Sequence, residues 1–372
     1  MTERNLSWVD IFLCYPIFDK IYSHLDPVDI LFLRLTTKKL SPCFESLFKT
    51  QWNINRQLTR FVKDPISLRS LLAKHDALIS GDDTVQFFKR TIWDDDDDFG
   101  LDIFVDTLSP FRKSDPIDEY LIGREGYELQ STKAWSIKKY HRRSSTKAEV
   151  AQVRIIYTIG TPLKAIFRIF RRSFVVNIIS WNFAYSLFPD LNYIKRTAHS
   201  SKGGRNANSE QEAAAQGGIK YLHSLQFNSS RRIGDSYTWS IALDTNSIKA
   251  GQPTSVLQHS FFKVMENIRN GDHVVSVESF RSPVLRYQYT VSDKHFYDPR
   301  AFWDLIEQKL TELINLELSK IPEDARPAFL GTNRPTFERA CELNWTFYDD
   351  QVPIWHEQYP IDEAERMRIT MK

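Results

Sequence analysis

Two stretches hold the residues best suited to chemistry: Ser80-Gly81-Asp82-Asp83 and, after the acidic run Asp94 to Asp98, Phe99-Gly100-Leu101-Asp102-Ile103. A glycine turn opening into a helix aims backbone N–H groups at a phosphate. Carboxylates at alternate positions of a strand share a face and can hold a divalent ion. Together these parts describe metal-assisted phosphate chemistry, but the charges oppose it. Asp82 and Asp83 stand where the phosphate's own charge would fall, and unit charges about 4 Å apart repel by roughly 4 kcal/mol at an effective dielectric of about 20. The strand offers Asp102, while the alternate position is Gly100. Asp106 shares a face with Asp102 but lies about 13 Å along the strand, too far for a common ion. The run Asp94 to Asp98 reads as a solvated acidic loop.

Other chemistries find less support. The nine histidines show no metal-ligand spacing. No Gly-x-Ser-x-Gly elbow and no Walker loop occur. Lys164, Arg168, Arg171 and Arg172 read as a solvated helix face. The expectation is a chain with no catalytic residue, no metal ligand set and no cofactor.

These residues need elements to position them. Pro65 opens a helix through Leu68, Leu71 and Leu72, and Ala77 to Ser80 is a short apolar strand. Asp83-Thr84-Val85-Gln86 matches a capping box, which predicts a helix from Val85 to Ile92. A strand over Leu101 to Val105 and a helix from Pro116 to Arg124 follow. Strands are expected at Ala134 to His141, Val150 to Thr158 and Phe174 to Ser180. Helices are expected at Leu163 to Phe170, Trp181 to Phe188 and Ile219 to Leu225, the last after a Ser/Gly/Asn-rich loop over 200–216. The final third mixes strands (Ser236 to Leu243, Val274 to Phe280, Val284 to Val291) with a long helix from Pro299 to Ile321.

The 372 residues are 42% hydrophobic and 13% aromatic, enough for a sizeable core, and the net charge is +2. That balance gives no electrostatic reason to expect nucleic acid or an anionic membrane as partner. Cys14, Cys43 and Cys341 are an odd, widely spaced set, which fits reduced thiols better than a disulfide framework. The chain opens with no signal-peptide pattern, and the apolar stretch Ile11 to Phe18 is far below the ~20 residues a spanning helix needs. An intracellular protein is expected.

The N-terminal run Tyr15-Pro16-Ile17-Phe18 … His24-Leu25-Asp26-Pro27-Val28-Asp29-Ile30-Leu31-Phe32-Leu33, ending in Lys38-Lys39-Leu40, resembles an F-box. The resemblance implies short helices over residues 5–50 whose surplus apolar surface docks on the adaptor protein of a ubiquitin ligase. Pro16, Ile17, Ile21, Leu25, Ile30, Leu31 and Leu33 are the residues it would place at that surface or in the local core. Tyr15 and Phe32 depart from the family's usual types.

A longer stretch is similar to a fungal group of F-box-like proteins with a degenerate nucleotidyltransferase-like domain. The resemblance rests on Ala73 to Gly81, Gln86 to Arg90, Leu101 to Val105, Val176 to Pro189 and Arg231 to Trp239. It implies an α+β fold: a helical module at 5–50, a nucleotidyltransferase-like mixed sheet with helices at 65–195, and an α+β extension at 215–372. In that fold a third metal-holding carboxylate is usual on a neighbouring strand. The expected position in 174–180 offers the neutral Asn177. Gly81, Asp82, Gly100, Asp102 and Asn177 therefore form the degenerate site. The implied function is non-catalytic protein interaction, as a ligase substrate receptor. The alternative is a divalent-metal-dependent nucleotidyltransferase with altered ligands.

Overall fold

The computed structural model describes residues 11, 14–26, 29–30, 33, 49–90, 100–106, 116–133, 137–143, 150–169, 176–189, 197–198, 220–221, 230–266, 273–291, 302–326, 337–355 and 357–358. The chain forms two units, Met1–Leu225 with Ser236–Gly251 and Gln226–Asp235 with Gln252–Lys372. Both mix helices and strands. Among the described residues no helix is long and apolar enough to cross a membrane. Leu31, Asp94 to Asp98 and the loop expected over 200–216 lie outside the described residues.

The first unit contains β1 (Leu78–Ser80), β2 (Gly100–Asp106), β3 (Glu128–Lys133), β4 (Ile137–Arg143), β5 (Val150–Thr158), β6 (Asn177–Ile179) and β7 (Phe183–Ser186). It also holds a two-stranded parallel pair, β8 (Thr197–Ala198) with β9 (Lys220–Tyr221). β10 (Ser230–Arg232) belongs to the second unit, and β11 (Trp239–Ala242) returns to the first. Eight of these strands form one mixed sheet in the order β11-β7-β6-β1-β2-β5-β4-β3. Every junction in it is antiparallel except β2 with β5.

Partners in register share a sheet face. One face presents Ile179, Ile79, Ile103 and Ile155 in a row, all buried in the main core. The other carries Ile178, Ser80, Asp102, Arg154 and Lys139 in register across β6, β1, β2, β5 and β4.

Five described helices sit ahead of or between these strands: α1 (Tyr15–Tyr22), α2 (Ile54–Leu58), α3 (Pro65–Lys74), α4 (Asp82–Lys89) and α5 (Pro116–Gly123). α6 (Pro162–Ile169) follows β5 and packs on β1 and β2. Local chemistry starts two of them. Asn53 accepts the Arg56 N–H at 3.0 Å and caps α2. Asp64 caps α3, accepting from Ser67 N at 3.1 Å and Ser67 Oγ at 2.5 Å, with Pro65 supplying a preset φ at the first helical position.

α3 is also pinned through its middle. Arg69 is 1% exposed and donates to Asn55 Oδ1 at 2.8 Å, Trp181 O at 2.7 Å and Asp244 O at 2.7 Å. A buried guanidinium spread over three acceptors ties the helix to the β6–β7 turn and to the segment after β11.

The N-terminal helix rests on the same core. Phe18, Tyr22 and Ile30 are fully buried in the cluster that contains Trp52, Phe88 and Trp239. Trp52 stands 5.6 Å from Trp239, and Phe88 5.1 Å from Trp239, between ring centroids. Such aromatic pairs contribute about 1 kcal/mol each beyond area burial. Trp52 Nε1 donates to Phe88 O at 3.2 Å. Arg90, which ends α4 at φ 56°, donates to Tyr22 O at 3.0 Å and to Leu25 O, and lies over the Trp52 ring.

Several sequence-based expectations change. Trp181 to Phe188 is not a helix: Ser180 and Phe183 exchange backbone and side-chain bonds (Ser180 N to Phe183 O, 2.8 Å), and this tight turn sends the chain back as β7. Of the strand expected at 134–141 the described part lies in β4 (Ile137–Arg143), which pairs antiparallel with β3, a strand that was not expected. Within 219–225 the described residues Lys220 and Tyr221 are extended, not helical. The span 215–372 does not lie in one unit, because β11 completes the large sheet by pairing with β7.

In the second unit β10, β12 (Phe261–Glu266) and β13 (His273–Ser276) form one sheet, and β14 (Glu278–Phe280) pairs with β15 (Tyr289–Val291). The short helix α7 (Thr254–Gln258), the long α8 (Phe302–Ser319) and α9 (Phe337–Glu342) complete it. Ile306, Leu310 and Ile314 on α8 share a core with Phe280, Tyr289, Trp345 and Trp355. The aromatic residues Trp345 and Trp355 are thus core rather than surface. Glu317 is 3% exposed and accepts from Tyr348 Oη and Lys320 Nζ, each at 2.5 Å.

Candidate functional site

The residues singled out for phosphate and metal chemistry converge where β1 turns into α4 beside β2. Gly81 makes that turn at φ 100°, ψ −158°, a conformation open to glycine, and stands as the N-cap of α4. Asp83 does not cap the helix as its capping-box spacing predicts. Its side chain is buried and turned to α2 and the turn after it, where Gln57 Nε2 donates to Oδ1 at 2.7 Å and Arg60 Nη1 lies 3.8 Å away. Burial raises the Asp83 carboxyl to about 6, with Gln57 and Arg60 opposing and the charges of Asp102 and Asp82 adding to the rise.

Asp102 is 4% exposed on β2. Its register partner on β5 is Arg154. The guanidinium closes on the carboxylate at two points, Nε to Oδ1 and Nη2 to Oδ2, the latter 2.7 Å. Such forked pairs are the strong kind of charge-assisted contact. Burial holds the Asp102 carboxyl above its usual range, and Arg154 pulls against that. Both oxygens are thus occupied by a guanidinium, where a metal-binding carboxylate would turn them to an ion.

The second position is tight. A Cβ added at Gly100 would meet Gln152 Oε1 at 3.1 Å, the Gln152 carbonyl at 3.2 Å and Gln152 Cβ at 3.4 Å. The Gln152 side chain fills the space where a side chain at position 100 would begin.

Asn177 does not complete the set. It lies on β6, separated from β2 by β1, and two residues before Ile179, so strand alternation puts it on the isoleucine face while Asp102 occupies the opposite one. Asn177 is fully buried, and its carbonyl accepts from Ser80 Oγ at 2.6 Å. Among the described residues no group of three His, Cys, Asp or Glu side chains could hold a metal ion.

The sequence reading missed Arg154, Gln152, Gln57 and Arg60. A signal existed: Gln152 and Arg154 alternate with apolar residues in Val150–Ile156, which marks two polar positions on one face.

Two further buried acids anchor the opposite face. Asp118 accepts from Tyr140 Oη at 2.6 Å, Tyr157 Oη at 2.8 Å and Lys138 Nζ. Glu125 is 1% exposed and accepts from Lys63 N (2.7 Å), Asp64 N (3.1 Å), Tyr120 Oη (2.7 Å) and Arg142 Nη1 (2.9 Å). These donors hold its carboxyl below the usual range despite burial. With three donors on Asp118 and four on Glu125, both acids read as braces between helices and sheet.

The N-terminal set divides. Pro16 and Ile17 face outward, Ile17 at 42% exposure. Ile21, Leu25 and Leu33 are partly buried against the main core. Ile30 is fully buried in that core, the second of the two places expected for it, and so is not part of an exposed surface.

No protein-family model matches the chain, and neither a curated protein nor a solved structure does.

Proposed function

We propose that this chain is a non-catalytic, intracellular protein-interaction protein: an F-box-like substrate receptor whose first unit is a nucleotidyltransferase-like frame turned to scaffolding. The observation that carries the reading is the two-point grip of Arg154 on Asp102. A guanidinium there supplies fixed positive charge without an open coordination site, so the carboxylate is neutralised and committed to structure. The Gln152 side chain beside Gly100 supports the same reading.

The docking part rests on α1. Phe18 and Tyr22 seat the helix on the core and leave Pro16 and Ile17 turned outward, which suits the apolar contact of a ligase adaptor. Removing the whole N-terminal segment is a poor test, since it would take core residues with it. The sharper variant is Ile17→Asp on the intact chain.

Two measurements test the proposal. Titration calorimetry of the chain with ATP and magnesium should show no binding heat. The purified adaptor should bind the intact chain, and Ile17→Asp should abolish that binding without lowering thermal stability. Nucleotide binding with turnover would replace this reading by that of a transferase with altered ligands. Adaptor binding that Ile17→Asp leaves unchanged would sink the proposed surface.

A further inference from the structure

We infer that Asp83 is a proton-controlled latch between α2 and α4, closed when its carboxyl is neutral and loosened when it is ionised. Two neighbouring buried acids are served unequally. Asp102 has a guanidinium bonded to both oxygens. Asp83 is equally buried and has far less: one neutral amide donor, Gln57, on Oδ1. The nearest cation, Arg60, is 3.8 Å from that same oxygen, and its Nη1 is bonded to Gln86 Oε1 at 2.5 Å. Oδ2 is buried with no hydrogen-bond partner among the described residues.

An ionised carboxylate so placed carries the cost of desolvation with little return. A neutral acid does not, because its buried oxygen then bears the proton. The surroundings act in the same direction. Asp82 on the same helix and Asp102 on β2 are anionic neighbours whose charges disfavour ionisation of Asp83. Lys139 and Arg154 direct their positive charge to Asp102. β1 and β6, which also pack on α4, carry no ionisable side chain in Leu78–Ser80 or Asn177–Ile179. Among the described residues the Arg60 and Gln57 side chains are thus the groups placed to answer a charge on Asp83, and both sit on α2 or just after it.

Ionisation has two ways to be relieved. Arg60 can leave Gln86 for Asp83, or the contact can open and admit water. Either one gives up a contact that α2 or the turn after it makes with α4: the Arg60–Gln86 bond in the first case, the Gln57–Asp83 bond in the second. α2 follows directly on Trp52, whose indole bonds Phe88 O on α4 and whose ring packs in the core shared with α1. A change of proton occupancy at Asp83 therefore reaches the seat of the N-terminal helix through adjoining contacts. The latch stands independently of the docking proposal.

The experiment follows the intact chain from about pH 5 to pH 8. Amide exchange over Ile54–Leu58, corrected for the intrinsic pH dependence, should rise several-fold across that range. Asp83→Asn should remove the rise and keep exchange at the slow, low-pH level, while Asp102→Asn should leave the rise in place. The carboxyl carbon resonance of Asp83, followed in the unmodified chain, should titrate well above an ordinary aspartate. An Asp83 resonance that titrates in the ordinary range overturns the inference even where Asp83→Asn fails to fold. An identical exchange profile in Asp83→Asn does so too.

Discussion

Arg154 and Asp102 meet across the single parallel junction of the large sheet, fifty-two residues apart in sequence and bonded at two points. The pair sits in register between β5 and β2, so backbone pairing alone brings the groups together. Its energetics follow from burial: the Asp102 side chain is 6% exposed and that of Arg154 29%.

Removing Arg154 should therefore cost more than an exposed ion pair would. Arg154→Met leaves Asp102 buried without its partner, and a loss of about 3 kcal/mol is expected. The double variant Asp102→Leu with Arg154→Met should recover most of it, because a pair of apolar residues carries no desolvation penalty. Urea unfolding of both proteins checks this, and a double variant weaker than the single one would contradict it.

A second carboxylate at position 100 should not restore an ion site. Gly100→Asp places Cβ against Gln152 Oε1 and its carbonyl at 3.1 and 3.2 Å. Overpacking of this kind costs about 1–3 kcal/mol. The variant should be less stable and should still give no manganese-binding heat. Binding at micromolar manganese would show that Arg154 yields its carboxylate readily.

Glu125 gives a pH dependence whose sign is opposite to that of Asp83. The folded chain holds the Glu125 carboxyl low, so its stabilisation is complete above the ordinary glutamate range and is lost as pH falls through the folded value. Asp83 is held high, near 6, and its contribution favours folding below the ordinary aspartate value and is lost as pH rises through about 6. Glu125→Gln should therefore be less stable than the parent at pH 7, with the gap closing toward pH 3. Chemical unfolding at a series of pH values reads that gap, and a gap that widens on acidification would refute the assignment.

Arg69 should resist conservative replacement. Lysine keeps the charge but loses the planar fork that reaches Asn55, Trp181 and Asp244 at once. Burial already lowers the guanidinium to about 10, and an ammonium at the same place sheds its proton more readily. Arg69→Lys should lose about 2–4 kcal/mol. A loss below about 0.5 kcal/mol, within the usual surface range, would show that the three acceptors find water instead.

Much of the local order was legible in the sequence. Pro65 announced α3, Gly81 announced a turn, and the apolar run after Gly100 announced β2, while the Asp64 cap showed only in the structure. What periodicity cannot carry is register. Arg154 reads as one polar residue in a strand until β5 lies parallel to β2 and sets it beside Asp102. Asn177 looked like a neighbour of Asp102 because sequence gives no strand order: β1 stands between them and alternation turns Asn177 away. Asp83 matched a capping spacing, but burial against Gln57 competed for the same side chain. The short strand β7 lost to a helical reading because the Ser180–Phe183 turn is closed by a backbone bond together with bonds of the Ser180 hydroxyl, which composition does not display.

The return of β11 to the first sheet bears on how the protein is made. A ribosome releases residues 78–186 well before Trp239–Ala242 and Asp244 emerge. Until they do, β7 has an open edge and the Arg69 fork lacks its third acceptor. Vectorial synthesis must therefore hold this unit unfinished across the intervening stretch, and messages cut short before codon 239 would yield a product with an adhesive rim.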